Sequence, residues 1–235
     1  MGRRVIVPPI HRPAPGASIA SYERTCARVF AGLSARAQVA WLAVPPVAQG
    51  ALVRAALSSG LHVIAEKPWK ESVSVTRALQ KLAARNRLVT AVHYEYCFLS
   101  GLRRLREQAV RGRARFGGRF LTSKPDRPGL SALDNLGSHL AAIKRAHFPE
   151  AAWDGLETGY GRMDARSVWV GSGGRRDELD FLRSREPVIQ RFIRAFEASV
   201  GRKSGFRLDL EFGLAVRGEL QRHHVPKSAL KYPHP

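Results

Sequence analysis

Lys67 and His139 are titratable side chains that stand next to the expected ends of secondary-structure elements. Lys67 follows the apolar run LHVIAE and precedes Pro68, so we expect it in a turn beyond the carboxyl end of a strand, where doubly wound sheets bind ligands. His139 follows Gly137 near the expected start of a helix, and histidine can donate or accept a proton near neutral pH. The alternative interpretations are a solvated turn lysine and a helix histidine bonded to a neighbour.

The sequence offers little for thiol or metal chemistry. Cys26 and Cys97 are its two cysteines, too few for a disulfide framework or a multi-cysteine metal site, and this usage favours a reduced compartment. Cys97 has no visible triad around it, so we expect a buried thiol rather than a nucleophile. His223 and His224 could bind a metal only with partners that the sequence does not identify, and we assign no metal.

The elements that must position Lys67 alternate between strand and helix. VAWLAV from Val39, LHVIAE and LVTAV are short apolar runs typical of buried parallel strands. The first is followed by a helical pattern that ends at Gly60, and the second by an amphipathic pattern capped by Ser72. This order predicts two right-handed crossover units of a doubly wound parallel sheet.

The regular alternation of strands and helices ends after His93. We predict a basic helix in SGLRRLREQAVRGRA, a strand in GGRFLTSK, a helix in HLAAIKRAHF and a hairpin or pair of strands in TGYGRMDARSVWVGSGG. Two helices should follow, EPVIQRFIRAFEASVG with Pro187 in its first turn and DLEFGLAVRGELQRHHV. We expect strands only in GRFLTSK, near LETGYGRM and in SVWVG, which would make a contracted sheet.

The fold class predicted for the whole chain is therefore α/β, with a truncated doubly wound parallel sheet (Rossmann-like) followed by a smaller α+β domain. We place the domains at 1–97 and 98–235. The first 38 residues suggest a strand in RRVIV, a proline-rich loop and a helix from Ser21 to about Ala35. A complete set of two strands and two helices before Val39 would need about 65 residues at usual element lengths, so we expect this part to be missing or condensed.

The charge balance makes a polyanion the first partner to consider. Of the 235 residues, 39 are Lys or Arg and 19 are Asp or Glu, a net charge of +20. The positive residues are scattered and form no recognisable nucleic-acid module, so we expect non-specific adhesion and no specific nucleic acid partner. We find no signal peptide and no apolar run of membrane-spanning length, and we expect a soluble, cytoplasmic protein without membrane contact.

An ordered set of motifs resembles the Gfo/Idh/MocA oxidoreductases. The set is Ala43-Val44-Pro45-Pro46, then Gly60-Leu61-His62-Val63, then Glu66-Lys67-Pro68, and in that family these motifs follow successive elements of the dinucleotide fold. The later LDNLGSH, from Leu133 to His139, resembles the family's L-x-D-x-G-x-H element beside the substrate. The resemblance covers about Val39 to His147 well and the remainder loosely.

The resemblance implies hydride exchange between a nicotinamide cofactor, NAD or NADP, and a hydroxy or carbonyl group of a small polar, sugar-like substrate. It makes Lys67 and His139 the catalytic pair, and it implies a cis peptide bond before Pro68. Tyr94, Asn135 and His139 would contact the substrate. The cofactor-binding residues would be Val44, Pro45, Pro46, Glu66, Lys67, Pro68 and His93. A homo-oligomer formed through the C-terminal sheet is also compatible with the family.

Departures from the family pattern bear on activity. The sequence has no G-x-G-x-x-G turn, whose glycines let backbone amides approach the pyrophosphate, so we expect weakened cofactor binding. Gln49 stands where the family has a histidine, Cys97 where it has an arginine, and Asn135 replaces the motif aspartate. Asparagine can bond a hydroxyl but cannot act as a base at pH 7.

Three functions remain open from sequence. The chain is an oxidoreductase of this family, or a pseudoenzyme or truncated relative that serves as a binding or assembly module, or a non-specific nucleic-acid-associated basic protein. Lys67, Asn135 and His139 favour the first, the missing phosphate turn favours the second, and only the charge favours the third.

Overall fold

A computed structural model describes residues 18–109, 114–125, 130–161, 163–172, 175–184 and 186–222. The chain divides into two compact units, which we call unit one and unit two. Unit one comprises the chain up to His93 together with Ile193–Leu214, and unit two comprises Tyr94–Phe192 together with the chain from Ala215. The domain limits at 1–97 and 98–235 stay a prediction. The strand in RRVIV and the pair His223-His224 lie outside the described residues.

Unit one contains a parallel three-stranded sheet in the order β1-β2-β3. Its strands are β1 Val39–Leu42, β2 His62–Ala65 and β3 Thr90–Val92, and its first three helices are α1 Ile19–Leu33, α2 Pro46–Ser58 and α3 Val73–Arg85. The register pairs Val39 with His62 and Val63 with Thr90. The predicted strand and helix order is confirmed.

Local signals in the sequence explain where these helices begin and end. Ser72 accepts a hydrogen bond from the Val75 N–H at 3.2 Å and so caps α3. Gly60 has a φ of 79° just after α2, a left-handed conformation that glycine adopts without steric cost. The central strand β2 is covered on both faces, since Val63 and Ala65 on one face and Ile64 on the other are all buried, as expected for a parallel sheet between layers.

A returning segment of the chain completes unit one at the edge of β3. The Val92 N–H donates to the Leu208 carbonyl at 2.7 Å, and the Gln80 side-chain amide donates to Asp209 Oδ2 at 2.7 Å. Burial raises the pKa of Asp209, although hydrogen bonds from Phe212 and Gln80 oppose the rise. These contacts fix the returning segment against the last strand of the sheet.

Unit two contains a mixed four-stranded sheet in the order β5-β4-β6-β7. Its elements are α4 Gly101–Ala109, β4 Arg115–Thr122, α5 Ser138–His147, β5 Ala152–Tyr160, β6 Ala165–Ser172 and β7 Arg175–Asp180. Strand β4 pairs parallel to β5 and antiparallel to β6. Two further helices, α6 Val188–Arg202 and α7 Leu210–Arg222, each contribute residues to both units.

Of the two alternatives predicted for TGYGRMDARSVWVGSGG, the pair of strands is confirmed and the hairpin is not, because β5 and β6 each pair with β4 rather than with each other. One strand of this sheet is missing from the sequence prediction. Strand β7, with the sequence RRDELD, was not expected. Its charged residues show no apolar alternation, and its place in the sheet comes from antiparallel pairing with β6.

A buried ion pair joins helix α5 to helix α7 within unit two. Lys144 Nζ lies 3.0 Å from Glu219 Oε1, and the two side chains are 5% and 11% exposed. The Trp153 indole N–H also donates to Glu219 Oε1, at 3.0 Å. Burial alone would raise the pKa of Glu219, yet the Lys144 ammonium and its other hydrogen-bond donors hold it below its usual value.

Helix α5, which begins at Ser138, packs closely on strand β4 because Gly118 has no side chain. A Cβ at Gly118 would lie 2.5 Å from Leu140 Cδ2 and 3.2 Å from the Ser167 carbonyl oxygen. Leu140 is fully buried, so a shift of its side chain must be accommodated inside the core. The glycine therefore sets the depth at which the first turn of α5 lies on the sheet.

Among the residues that the structure describes, no helix combines the length and the apolar character that a membrane crossing requires.

We predict that Gly118→Ala lowers the free energy of unfolding by about 1–3 kcal/mol, because overpacking forces strain on Leu140 and the Ser167 backbone. Gly155→Ala in β5 is the matched control, since a Cβ there meets only the Trp169 ring, at 3.5 Å. Urea unfolding monitored by circular dichroism measures both variants. Equal unfolding midpoints for the two variants would show that Gly118 has no special packing role.

Candidate functional site

The carboxyl ends of the three parallel strands in unit one bring together the predicted cofactor-binding residues. Strand β1 leads into Val44, Pro45 and Pro46, β2 leads into the turn Glu66–Pro68, and β3 leads into His93. Neighbouring parallel strands end at the same edge of a sheet, so these loops share one edge. Pro45 is exposed, Val44 and Pro46 are half-buried, and His93 is buried.

The Glu66 carboxylate contacts side chains from both neighbouring strands at this edge of the sheet. Its Oε1 accepts a hydrogen bond from the Trp41 indole at 3.1 Å and lies 3.1 Å from His93 Nδ1. The Trp41 and His93 rings meet edge to face with centroids 4.7 Å apart. Burial alone would raise the pKa of Glu66, but His93, Trp41 and the charge of Lys67 together hold it below its usual value. Glu66 is therefore ionised at neutral pH.

Helix α2 fixes the backbone of the Glu66–Glu71 turn. The fully buried Gln49 donates through Nε2 to the Glu66 carbonyl at 2.6 Å, and the Gly50 N–H donates to Glu71 Oε1 at 2.8 Å. A Cβ at Gly50 would overlap the Glu71 carboxylate, so glycine is required for this approach. Gln49 Oε1 is buried without a hydrogen-bond partner among the described residues.

Lys67 lies within this fixed turn. It is half-buried, it follows Glu66 directly, and its peptide bond to Pro68 is cis, as the family resemblance implies. Behind it, Trp69 is fully buried and donates to Thr76 Oγ1 at 3.0 Å. The ammonium of Lys67 is thus presented from a backbone that packing and hydrogen bonds hold on both sides.

The described residues of unit one fit the nicotinamide end of a dinucleotide. The loops after β1, β2 and β3 offer an ionised carboxylate, a lysine and a histidine at the sheet edge where such folds bind their cofactor. The unpartnered Gln49 Oε1 is an acceptor beneath the same turn. Val44, Pro45, Pro46, Glu66, Lys67, Pro68 and His93 are compatible with this role, which stays a prediction for each of them.

In unit two, a single π-helical turn at Leu133–Gly137 leads into α5 and carries Asn135. Asn135 is buried, and its Nδ2 donates to the Tyr160 hydroxyl at 2.8 Å. Ser138 closes the turn by donating to the Asn135 carbonyl at 3.0 Å. Turns of this kind occur often at functional sites.

His139 is enclosed by aromatic rings. Its ring stacks on Phe120 with centroids 5.0 Å apart and meets Tyr96 edge to face at 4.9 Å. Tyr94 approaches at 6.4 Å. His139 is 4% exposed and Tyr94 is 1% exposed, so Tyr94 serves the packing around His139; its predicted contact with substrate stays a prediction.

Arg166 extends this aromatic cluster. Its Nη1 donates to the Tyr96 hydroxyl at 2.9 Å, and its guanidinium carbon lies 5.2 Å from the centroid of the Phe120 ring. Burial raises the pKa of Tyr96, although the Arg166 charge opposes the rise. The Tyr96 phenol therefore keeps its proton at neutral pH.

The structure joins the predicted site residues in two groups. Glu66, Lys67 and His93 belong to unit one, and Asn135 and His139 belong to unit two. The pairing of Lys67 with His139 that the family resemblance implies stays a prediction.

Trp41 and Arg166 were not expected at either site. Trp41 occurs within an apolar strand run, where a tryptophan predicts only core packing. Arg166 is one of many scattered arginines, and only the register of β6 against β4, which pairs Arg166 with Phe120, distinguishes it.

No described segment brings together three or more histidine, cysteine, aspartate or glutamate side chains in an arrangement that could hold a metal ion. Cys26 and Cys97 are both buried and reduced.

Residues 17–94 match the sequence model of the GFO_IDH_MocA family, described as the oxidoreductase family with an NAD-binding Rossmann fold. The resemblance predicted from the Pro-Pro loop and the Glu-Lys-Pro turn is confirmed for this segment. No curated protein matches the chain in sequence.

Solved dehydrogenase structures share the fold. UDP-N-acetylglucosamine 3-dehydrogenase GnnA from Acidithiobacillus ferrooxidans is 15% identical with a TM-score of 0.71, covering 81% of this chain and 78% of that one. A dehydrogenase (MviM) from Clostridium difficile is 12% identical with a TM-score of 0.68, covering 87% and 86%. Levoglucosan dehydrogenase in complex with NADH and levoglucosan is 12% identical with a TM-score of 0.65, covering 83% and 80%. The predicted fold, a Rossmann-like part followed by a sheet domain, is confirmed.

We predict that His93→Phe raises the pKa of Glu66, because the ring packing against Trp41 persists while the hydrogen bond and charge that oppose burial are lost. Trp41→Phe should raise the pKa of Glu66 less, because the hydrogen bond from Trp41 lowers that pKa less than the hydrogen bond with His93 does. Because the pKa of Glu66 is lower in the folded state, the ionised carboxylate stabilises the folded protein at pH values above its unfolded-state pKa, near 4.5. This contribution disappears as the pH falls through the folded-state pKa. Carboxyl ¹³C NMR titration of the three proteins measures the pKa, and an unchanged value in His93→Phe would contradict the assignment.

Proposed function

Residues 17–94 carry the Rossmann segment of the Gfo/Idh/MocA oxidoreductases, and on that premise we propose that the chain is an NAD(P)-dependent oxidoreductase. Its substrate would be a small polar, sugar-like molecule that carries a hydroxyl or carbonyl group. The observation that carries this proposal is the turn Glu66–Pro68 at the end of β2, held by Gln49 and His93 with its carboxylate ionised. The two structural relatives whose names identify a substrate, GnnA and levoglucosan dehydrogenase, are named for sugar substrates.

A bound nicotinamide would supply the acceptor or donor of a hydride. The loops at Val44–Pro46 and Glu66–Pro68, together with His93, would hold it. Lys67 would orient the reacting oxygen and polarise it through its ammonium, because its backbone is fixed by the turn. Glu66, whose pKa is held below its usual value, places a negative charge beside Lys67.

Proton transfer falls to His139 in this proposal. Asn135 replaces the family aspartate and cannot titrate near pH 7, so its role is to bond a hydroxyl. The aromatic rings around His139 fix its orientation and exclude water, which suits a group that must meet one oxygen in one geometry. Tyr94 would support the substrate side through its contact with His139.

A second candidate function is a binding or assembly module without turnover. It is favoured by Asn135 in place of a titratable aspartate and by the absence of a G-x-G-x-x-G motif from the 235 residues. Non-specific adhesion to nucleic acid, a cytoplasmic location and a homo-oligomer through the sheet of unit two are further proposals. The charge of +20 supports the first of these.

We predict weak cofactor binding, with a dissociation constant for NAD⁺ and NADP⁺ above about 10 µM, or less than about 7 kcal/mol of binding free energy. The chain lacks the glycine turn whose amides bind pyrophosphate. Nicotinamide mononucleotide should therefore retain most of the affinity, while ADP-ribose should bind poorly. Isothermal calorimetry compares these ligands, and a dissociation constant well below 10 µM with tight ADP-ribose binding would refute the weakened phosphate site.

We predict that Lys67→Ala and His139→Ala each lower turnover by about 10²–10⁴-fold, the usual size of an acid–base contribution. Turnover is followed as NAD(P)H absorbance with a panel of sugars and inositols, and thermal unfolding verifies the fold. Lys81→Ala, an exposed lysine of α3, is the matched control and should leave turnover unchanged. Turnover that survives in either active-site variant removes that residue from the mechanism, and cofactor binding without turnover in the parent protein favours the binding module.

A further inference from the structure

Arg166 in unit two is a half-buried cation whose partners are incomplete. Nη1 donates to the Tyr96 hydroxyl, while Nε is shielded from solvent and donates to no group in the described part of the chain. No carboxylate among the described residues lies within ion-pair distance of this guanidinium. Buried donors are almost always satisfied in native proteins, so an unsatisfied guanidinium nitrogen requires an explanation.

The surroundings of Arg166 compensate its charge only in part. The Tyr96 phenol is protonated and the Phe120 ring offers only its π face. Asp164 is close enough for Arg166 to lower its pKa, but the Asp164 carboxylate is fully exposed and its Oδ1 accepts from the Ser123 N–H at 2.8 Å. Removing a charge from water without a counter-charge is costly, and an anionic ligand would offset that cost.

The position of this cation relates it to the proton-transfer residue. The two rings that contact Arg166, those of Tyr96 and Phe120, are the rings that enclose His139. A ligand held by the guanidinium would therefore lie beside the cluster that contains His139. In addition, the net charge of +20 favours the approach of anionic over neutral ligands.

The hydrogen-bonding pattern of Arg166 selects the type of anion. One N–H of Nη1 is used by Tyr96, and the donors on the opposite edge of the planar guanidinium are Nε and Nη2. This edge matches the spacing of two oxygens in a carboxylate or a phosphate and forms paired, charge-assisted hydrogen bonds. A neutral hydroxyl offers the same edge a single oxygen and no charge.

We propose that Arg166 is a substrate-recognition residue whose Nε–Nη2 edge binds an anionic group, a carboxylate or a phosphate, of the sugar-like substrate. The nature of the substrate rests on the proposed function, whereas the anion site can be tested without any reaction. The site selects acidic or phosphorylated sugars over their neutral counterparts.

The test uses the full chain with ¹⁵N-labelled arginine and three probes, D-glucuronate, D-glucose 6-phosphate and D-glucose. We expect the Arg166 Nε–H resonance to shift on titration with at least one anionic probe and to stay unchanged with D-glucose. Comparison of the first two probes distinguishes a carboxylate site from a phosphate site. The resonance is assigned by its loss in Arg166→Lys.

Affinity measurements on variants provide the second readout. Arg166→Gln should weaken binding of the preferred anionic probe by at least about tenfold, the lower range for hydrogen bonds to a charged group. Arg166→Lys keeps the positive charge but loses the paired donors of the guanidinium. Its affinity for the probe should therefore lie between those of the parent protein and Arg166→Gln. Arg119→Gln is the matched control, because Arg119 lies on the same sheet, is exposed and pairs with Glu157 at 2.6 Å; it should bind like the parent. If Arg166→Gln fails to fold, the titration of the parent protein still shows whether an anionic probe binds at Arg166.

The proposal is overturned if the Nε–H resonance responds to no anionic probe, if D-glucose binds as tightly as both anions, or if Arg119→Gln causes the same loss as Arg166→Gln. Failure of the proposed function gives a different result. Anion binding at Arg166 without hydride transfer would support the anion site and refute the oxidoreductase proposal. Oxidation of neutral sugars without any preference for anionic ones would support the oxidoreductase proposal and refute the anion site.

Discussion

The ionised carboxylate of Glu66 is the interaction on which the carboxyl edge of the parallel sheet depends. A half-buried carboxylate is unstable as an anion unless donors and positive charge surround it. Trp41 from β1, His93 from the end of β3 and the neighbouring Lys67 supply them, so one group ties the ends of all three strands together. Gln49 adds the backbone contact that fixes the turn. Lys67 is consequently presented from a rigid support, which its proposed catalytic role requires.

In unit two, aromatic packing rather than an ionised carboxylate positions the candidate site residue. His139 is positioned by stacking and edge contacts with aromatic rings, and its helix is set on the sheet by Gly118 and anchored by the Lys144–Glu219 pair. The buried Lys144 is paired with Glu219, whereas the half-buried Arg166 keeps its Nε without a hydrogen-bond partner among the described residues. That donor is part of the edge that we propose for an anionic ligand.

The sequence allowed the parallel core to be predicted because local and tertiary signals agree there. Buried strand runs, the Ser72 cap and the Gly60 helix end each act over a few residues, and the Glu-Lys-Pro turn follows from its place after β2. Strand β7 could not be predicted, since the place of a charged strand in a sheet is defined by its partner, and the sequence left the choice between a hairpin and a pair of strands open for β5 and β6. Trp41 and Arg166 acquire their roles through contacts with residues 25 and 70 positions away, which no local pattern reveals.

Deuterium transfer tests the central claim, that this chain moves a hydride between a sugar-like substrate and a nicotinamide, most directly. The protein is incubated with NAD⁺ or NADP⁺ and a panel of fully deuterated neutral and acidic sugars, and the recovered cofactor is analysed by mass spectrometry and proton NMR. The account predicts deuterium at C4 of the reduced nicotinamide, at a rate that depends on Lys67 and His139. A cofactor that binds yet remains unlabelled with every sugar would contradict it.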